Sequence, residues 1–209
     1  LGFTELLLND ESAYSKSEIY DIIGVINEIA NSTYSLLNNL LEWSRIQRNK
    51  IKLQKEKFNL KQAVENSVYF YKNTAIKKDI KLECSINENI SVYADNNMFS
   101  SIIQNLISNA IKFTFKNGEI TISASFNSEY NNFIEISVKD TGIGMSEERK
   151  NVIFNIDNDT SNKGTDGETG SGLGLTLCAE FVKLNNGEIW VESEEGFGSK
   201  FTFTMPLNK

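Results

Sequence analysis

Asn105, Asn109 and Lys112 fall at i, i+4 and i+7 of one apolar-periodic stretch, Asn96 to Phe115, so a helix there stacks two carboxamides and an ammonium along one side. Such a trio suits phosphate oxygens and a hydrated divalent cation. Mg²⁺ takes oxygen ligands, keeps several waters and is usually shared with substrate phosphates. The other side of the stretch, Met98, Ile102, Leu106 and Ile111 broadened by Ile103, Ala110 and Phe113, is patterned to pack into a core. Asp95 is the expected N-cap. A solvated polar face explains this helix, taken alone, equally well.

Two glycine-rich stretches break that tie. Asp140-Thr141-Gly142-Ile143-Gly144 follows an expected strand, Phe133 to Lys139. A carboxylate at a strand end can accept a hydrogen bond from an exocyclic amine such as that of adenine, and Gly142 and Gly144 let the backbone approach a flat ring. By itself this pattern is also a common turn. Gly170-Ser171-Gly172-Leu173-Gly174-Leu175 opens an expected helix running to Leu184. Glycines at a helix start expose N–H groups where the dipole favours phosphate. No strand precedes them, and no Gly-Lys-Ser/Thr follows at P-loop spacing, so neither common dinucleotide nor P-loop fingerprint is present. Between the two lies Asn155 to Thr169, a long polar loop that reads as a cover over a nucleotide. Lys163 is its one cation, a candidate for a terminal phosphate.

The rest of the chain must hold these groups. With 209 residues, 40% hydrophobic and 11% aromatic, it can bury one compact domain plus an appendage. A net charge of -7, with 21 basic residues and no long basic block, argues against a nucleic-acid surface. A polyanionic ligand must then be held by local geometry rather than by the overall field. Cys84 and Cys178 stand apart without CxxC spacing and read as reduced thiols. No apolar run reaches the length of a membrane span, and no signal-peptide pattern is visible. The chain has no histidine, which removes imidazole bases and ligands within it. It opens at Leu1 in mid-pattern, so a fragment of a longer protein is expected.

Residues 1–55 read as a truncated helical hairpin. Leu1 to Leu8 is the tail of one helix, Asn9 to Ser17 a polar turn, and a second helix starts at Glu18 with Ser17 as cap. Ile22, Ile26, Ile29, Thr33, Leu36, Leu40, Trp43 and Gln47 form a heptad seam that Ile19, Ile23, Leu37, Leu41 and Ile46 widen. A dimeric four-helix bundle buries both faces of such a hairpin. Arg48 to Glu56 is charged and marks the boundary. Residues 56–209 follow as a second domain: an extended piece at Phe58–Leu60, a helix over Lys61–Lys77, and short strands at Asp79–Ile86 and Ser91–Ala94. Hairpins are expected over Glu119–Lys139 and Gly187–Met205. The fold class is α+β: the N-terminal hairpin, then an α/β sandwich with a mixed, mostly antiparallel sheet and helices on one face.

In this order the stretches resemble the ATP-binding half of sensor histidine kinases, in the superfamily shared with gyrase, HSP90 and MutL. Asn105-Leu-Ile-Ser-Asn109-Ala-Ile-Lys112-Phe113 looks like the family's N box, Asp140 to Gly144 its G1 box and Gly170 to Leu175 its G2 box. Phe154 sits where the F box falls, and Gly198-Ser199-Lys-Phe-Thr resembles the closing strand. The resemblance covers about residues 57 to 207, and the hairpin resembles the family's dimerisation and phosphoacceptor domain. After Phe154 the chain departs from the family, with Asn155-Ile156-Asp157 where Glu-Pro-Phe is frequent.

The resemblance implies ATP and Mg²⁺ as cofactors. Asn109 would hold the metal, Asn105 would support metal or phosphate, and Lys112 would contact phosphate. Phe113 would pack near the base, Asp140 would read adenine, and Gly172 and Gly174 would line the phosphates. In ATP-hydrolysing members an acidic residue one turn before the metal-binding asparagine activates water. Here that residue is Asn105, which cannot act as a base, so transfer to a protein acceptor is expected. The phosphoacceptor histidine would lie just upstream of Leu1, so this fragment is expected to bind ATP without phosphorylating itself. A homodimer through the hairpin, a response-regulator receiver domain as partner and a cytoplasmic location, with room for an upstream membrane anchor, complete the expectation. A non-catalytic nucleotide-binding module and a purely structural dimerisation protein are the other readings.

Overall fold

The computed structural model describes residues 14–47, 53–126, 132–155, 164–168 and 172–208, and the chain divides into two units, Leu1–Asn49 and Lys50–Lys209. The first expected helix of the hairpin, Leu1 to Leu8, lies outside the described residues.

In the first unit, α1 spans Lys16–Gln47. It opens at Lys16 rather than Glu18, and its cap is Ser15 rather than Ser17. Glu18 N–H donates to Ser15 Oγ at 3.3 Å while Ser15 N–H donates to Glu18 Oε2 at 2.7 Å. This reciprocal capping box needs a glutamate three residues after the serine, which only Ser15 has. Along the helix Ile22 and Ile26 are half-buried, whereas Tyr20, Ile23, Ile29, Leu37 and Leu41 are exposed.

The second unit runs β1(Lys55–Asn59), α2(Leu60–Lys77), β2(Lys81–Ser85), β3(Ser91–Asp95), α3(Asn96–Phe113), β4(Glu119–Phe126), β5(Phe133–Asp140), α4(Glu147–Val152), α5(Gly174–Leu184), β6(Ile189–Glu194) and β7(Gly198–Pro206). Its main sheet has the order β2-β4-β5-β7-β6. The β2–β4 pair is parallel and every other pair antiparallel, so the sheet is mixed and mostly antiparallel, as expected. Two features differ from the expected single sheet. The extended piece at Phe58 is a full strand, and β1 pairs with β3 in a separate two-stranded antiparallel sheet, Phe58 opposite Val92. The short helix α4, too brief for a periodic signal, was not expected.

The core lies between the main sheet and its helices. Ile120, Ile122, Ile134, Ile136 and Phe203 from the strands are fully buried, as are Ile102, Ile103, Leu106 and Ile107 from α3. Phe99 of α3 stands between the two sheets, 5.3 Å from the Phe58 ring and 6.1 Å from Phe203. The opposite face of the main sheet carries small hydroxyls, with Ser123 and Ser137 hydrogen-bonded across strands at 2.9 Å.

The start of α3 is fixed by polar groups. Asp95 Oδ1 accepts from Asn97 and Met98 N–H at 3.1 Å each, and its Oδ2 accepts from Gln54 N–H at 2.9 Å. The Asp95 N–H in turn donates to Oδ1 of the fully buried Asn185 at 2.9 Å, while Asn185 Nδ2 donates to Phe181 O at 2.9 Å at the end of α5. Asn185→Ala leaves the buried Asp95 N–H without its acceptor, while Phe181 O keeps the main-chain N–H of residue 185, so it should destabilise the domain by about 1–3 kcal/mol. Urea unfolding of the 209-residue chain measures this directly.

Candidate functional site

Because one face of α3 is fully buried, its opposite side is held at fixed positions. Asn105, Asn109 and Lys112 lie there, all half-buried. The Asn105 amide donates back to Ser101 O at 3.0 Å, which turns Oδ1 towards the first residue of α5. A Cβ at Gly174 would stand 2.7 Å from that oxygen, so the second glycine motif abuts the first polar residue of the helix. Lys112 carries its Nζ 4.8 Å from the centre of the Phe113 ring. Burial holds the Lys112 ammonium below its ordinary pKa, the Glu168 carboxylate opposes this, and the Arg149 cation adds to it.

The first glycine motif docks on the end of the same helix. Ile143 N–H donates to Phe113 O at 3.1 Å. A Cβ at Gly142 would overlap that carbonyl oxygen, and Gly144, at φ 67°, lies against the Glu194 carbonyl. The fold itself therefore requires both glycines, in addition to any approach of a ligand.

Asp140 ends β5 rather than following it, and is only 4% exposed. Its Oδ1 accepts from Gly142 N–H at 2.8 Å and from Ser199 N–H at 3.2 Å. Among the described residues nothing donates to Oδ2. Burial raises the carboxyl to about 6, against the lowering effect of those two backbone bonds. The result is a buried acceptor with one oxygen anchored and the other available to a donor.

Phe154, just beyond α4, sets its ring perpendicular to Phe201 of β7 with centroids 6.3 Å apart. Gly172 has φ 71°, and Leu173 and Leu175 are half-buried around the start of α5. Leu173 precedes the helix with a side chain that cannot cap it. Lys163, Gly170 and Ser171 lie outside the described residues, as does most of the expected cover from Asn155 to Thr169. The structure thus gathers Asn105, Lys112, Phe113, Gly142 and Gly174 around one helix, with Asp140 beneath the loop that docks on its end.

Sequence reasoning missed several groups here. Arg149 lies within electrostatic reach of Lys112, and Lys78, Thr165 and Glu168 converge on the end of α3. Lys78 sits in a Lys-Lys-Asp turn and Arg149 in a Glu-Glu-Arg-Lys run. Both look like solvated charge, and neither has a local signal for a distant partner.

Comparison with known proteins is consistent across this domain. Residues 94–209 match the family described as histidine kinase-, DNA gyrase B-, and HSP90-like ATPase. The sensor protein EvgS of Escherichia coli is 32% identical over 210 residues, covering 99% of this chain and 17% of EvgS. The sensor histidine kinase GacS of Pseudomonas protegens is 31% identical over 213 residues, covering 100% of this chain and 23% of GacS. The chain therefore spans less than a quarter of the length of these two relatives. The solved catalytic domain of histidine kinase ThkA is 29% identical with a TM-score of 0.64, covering 74% of this chain and 96% of that one. ThkA in complex with response regulator protein TrrA shares the fold at 21% identity, TM-score 0.69, over 99% of this chain and 57% of that one.

The Asp140 charge makes a testable demand. Its folded pKa, about 6, lies above the ordinary 3.8, so the ionised form opposes folding above pH 6 and that penalty is relieved as pH falls towards 4. Asp140→Asn should stabilise the ligand-free protein at pH 7.5 by up to about 3 kcal/mol. The difference should shrink below pH 6 and vanish only below the ordinary 3.8. Thermal unfolding across pH, variant against wild type, gives the answer.

Proposed function

The chain belongs to the histidine kinase-, DNA gyrase B- and HSP90-like ATPase family, and on that premise we propose that it is the ATP-binding catalytic core of a sensor histidine kinase. In this reading it delivers the ATP γ-phosphoryl to a histidine, from which a response-regulator aspartate receives it. The observation that carries it is Asp140. A carboxylate that is buried at the cost of stability, anchored through one oxygen and open at the other, suits the exocyclic amine of adenine.

The other roles follow from position. Lys112 neutralises phosphate charge, and its partial burial strengthens that interaction. Phe113 borders the base, and Phe154 closes the domain beside Phe201. The main-chain N–H groups at the start of α5 face phosphate oxygens next to Asn105. The resemblance assigns Lys163, Gly170, Ser171, Gly172, Leu173, Gly174 and Leu175 to phosphate binding, and of these Gly172 to Leu175 are among the described residues. Among the described residues no group of three or more acidic or Cys side chains could cage a metal. In this reading Asn109 would hold Mg²⁺ through its side-chain oxygen, with the cation shared with the phosphates, as Mg²⁺ prefers. When bound, Mg²⁺ supplies charge neutralisation at the phosphates.

Asn105 bears on the type of reaction. Its amide cannot take a proton from water, so the site has no base at this point of α3 and positions phosphate for a protein acceptor. Phosphoryl transfer asks mainly for alignment and charge compensation, which these residues supply. The chain contains no histidine, so the acceptor comes from outside these 209 residues. ThkA has been solved with a response regulator, and a receiver domain is the partner we propose here. Residues 1–55 and 56–209 are read as a dimerisation hairpin and the catalytic domain. The exposed apolar residues of α1 favour packing against a second copy. No helix among the described residues is long and apolar enough to cross a membrane, in keeping with a cytoplasmic kinase domain.

Calorimetric titration with a slowly hydrolysed ATP analogue tests the proposal. Saturable, Mg²⁺-dependent binding of about -5 to -8 kcal/mol, micromolar to submillimolar, is expected. Asp140→Asn should remove it, and Asn109→Asp, which sets a negative charge beside the phosphates, should weaken it. A wild-type chain that binds nothing at millimolar analogue would overturn the reading.

A further inference from the structure

At the C-terminal end of α3 the last carbonyls lack intrahelical partners and carry the negative end of the helix dipole. Lys78, just beyond α2, reaches them. Its Nζ donates to Ile111 O at 3.0 Å, to Lys112 O at 3.2 Å and to Glu168 Oε1 at 2.7 Å. An ammonium has three N–H donors, and all three are used here. The Lys78 side chain is 7% exposed, so its counter-charges matter: Asp166 Oδ2 stands 4.0 Å from the Nζ, and the carboxylate in hydrogen-bond contact is that of Glu168. That carboxylate comes from a residue 90 positions later in the chain.

The residues around Glu168 are hooked onto the same place. Thr165 N–H donates to Lys112 O at 3.0 Å, and Thr165 Oγ1 lies within hydrogen-bond distance of Lys112 O and Thr114 O, at 3.2 and 3.0 Å. Gly164 N–H donates to Glu168 O at 2.8 Å, and Asp166 N–H to Glu168 Oε2 at 2.9 Å, which folds 164–168 into a tight clip. The approach is close enough to require glycine. A Cβ at Gly164 would stand 2.6 Å from Lys112 Cγ and 2.7 Å from Lys112 O. The clip therefore rests on the backbone and the aliphatic stem of Lys112. Glu168 also acts on the Lys112 ammonium, favouring its charged form.

We propose that Lys78 is a positioning residue for the nucleotide phosphates. Through Glu168 it seats residues 164–168 on the end of α3, and the seated clip fixes where the Lys112 side chain stands. This role rests on the nucleotide reading given above. It differs from simple helix capping in one respect. Removing Glu168 leaves Lys78 donating to Ile111 O and Lys112 O, so the helix end stays satisfied while the clip is released. Loss of the clip should then affect ligands with phosphates and spare those without.

The test compares Glu168→Ala with the wild-type 209-residue chain, using ADP and adenosine as probes. Thr165→Val, which removes a side-chain hook without touching the ion pair, is the second variant. Each should weaken ADP by about fivefold to tenfold, the range of a modest coupling. Adenosine affinity should stay within about twofold, because Asp140 reads the base and is untouched. In the ligand-free Glu168→Ala protein, amide exchange at Thr165 should accelerate while that of the β4 and β5 amides does not. ADP and adenosine weakening together, or neither changing, would overturn the role while leaving wild-type nucleotide binding intact. A wild-type chain that binds neither probe would overturn the nucleotide reading and this role with it.

Discussion

The central helix α3 has to bury one face completely while its opposite side keeps amide and ammonium groups open to a ligand. A helix under that demand cannot turn or slide without moving apolar residues into water or polar ones into the core. Both of its ends are accordingly tied by buried polar groups from distant parts of the chain. Asp95 and Asn185 hold the start, linking it to β3 and the end of α5. Thr114 and Lys78 hold the finish, where Thr114 Oγ1 donates to Ala110 O at 2.6 Å. Two sheets, the helix pair α3–α5 and the first glycine loop all take their places from this one fixed rod.

The same arrangement shows how a chain of net charge -7 can hold a polyanion. The general field repels it, so attraction must come from a few charged groups whose interaction with phosphate is strengthened by partial burial. Lys112 has its ammonium depressed by burial and by the Arg149 cation, with Glu168 compensating from the other side. Asp140 shows the converse, a lone carboxylate kept from water with only two backbone donors. Burial disfavours the charged form of both groups. A ligand bringing a hydrogen-bond donor to one and negative charge to the other relieves both.

Much of this was legible in the sequence, because the signals were local. The apolar period of α3, the cap at Asp95, the alternating strands of both hairpins and the glycine stretches each depend on neighbours within a turn or two. The failures are equally physical. The cap falls at Ser15 rather than Ser17 because Glu18 reaches back to the Ser15 N–H, a capping-box spacing that Ser17 lacks. The strand β1 extends beyond the short piece expected at Phe58 because Lys55, Glu56 and Lys57 carry no alternating signal, and only the main-chain pairing with β3 makes them a strand. Lys78 and Glu168 were unreadable for a different reason. Their ion pair joins two polar segments that resemble solvated turns, and no local rule matches a lysine to a glutamate so far along the chain.

The two units solve the problem of apolar burial differently. Residues from Lys50 onwards close a core between sheet and helices in which the largest side chains are fully hidden, as a domain of this length can do alone. In α1, Tyr20, Ile23, Ile29, Leu37 and Leu41 remain substantially exposed. A single long helix has no second layer to offer them, and intrinsic propensity rarely sustains an isolated helix in water. These side chains are left uncovered among the described residues, whereas the elements that position Asn109, Lys112 and Asp140 all belong to the second unit.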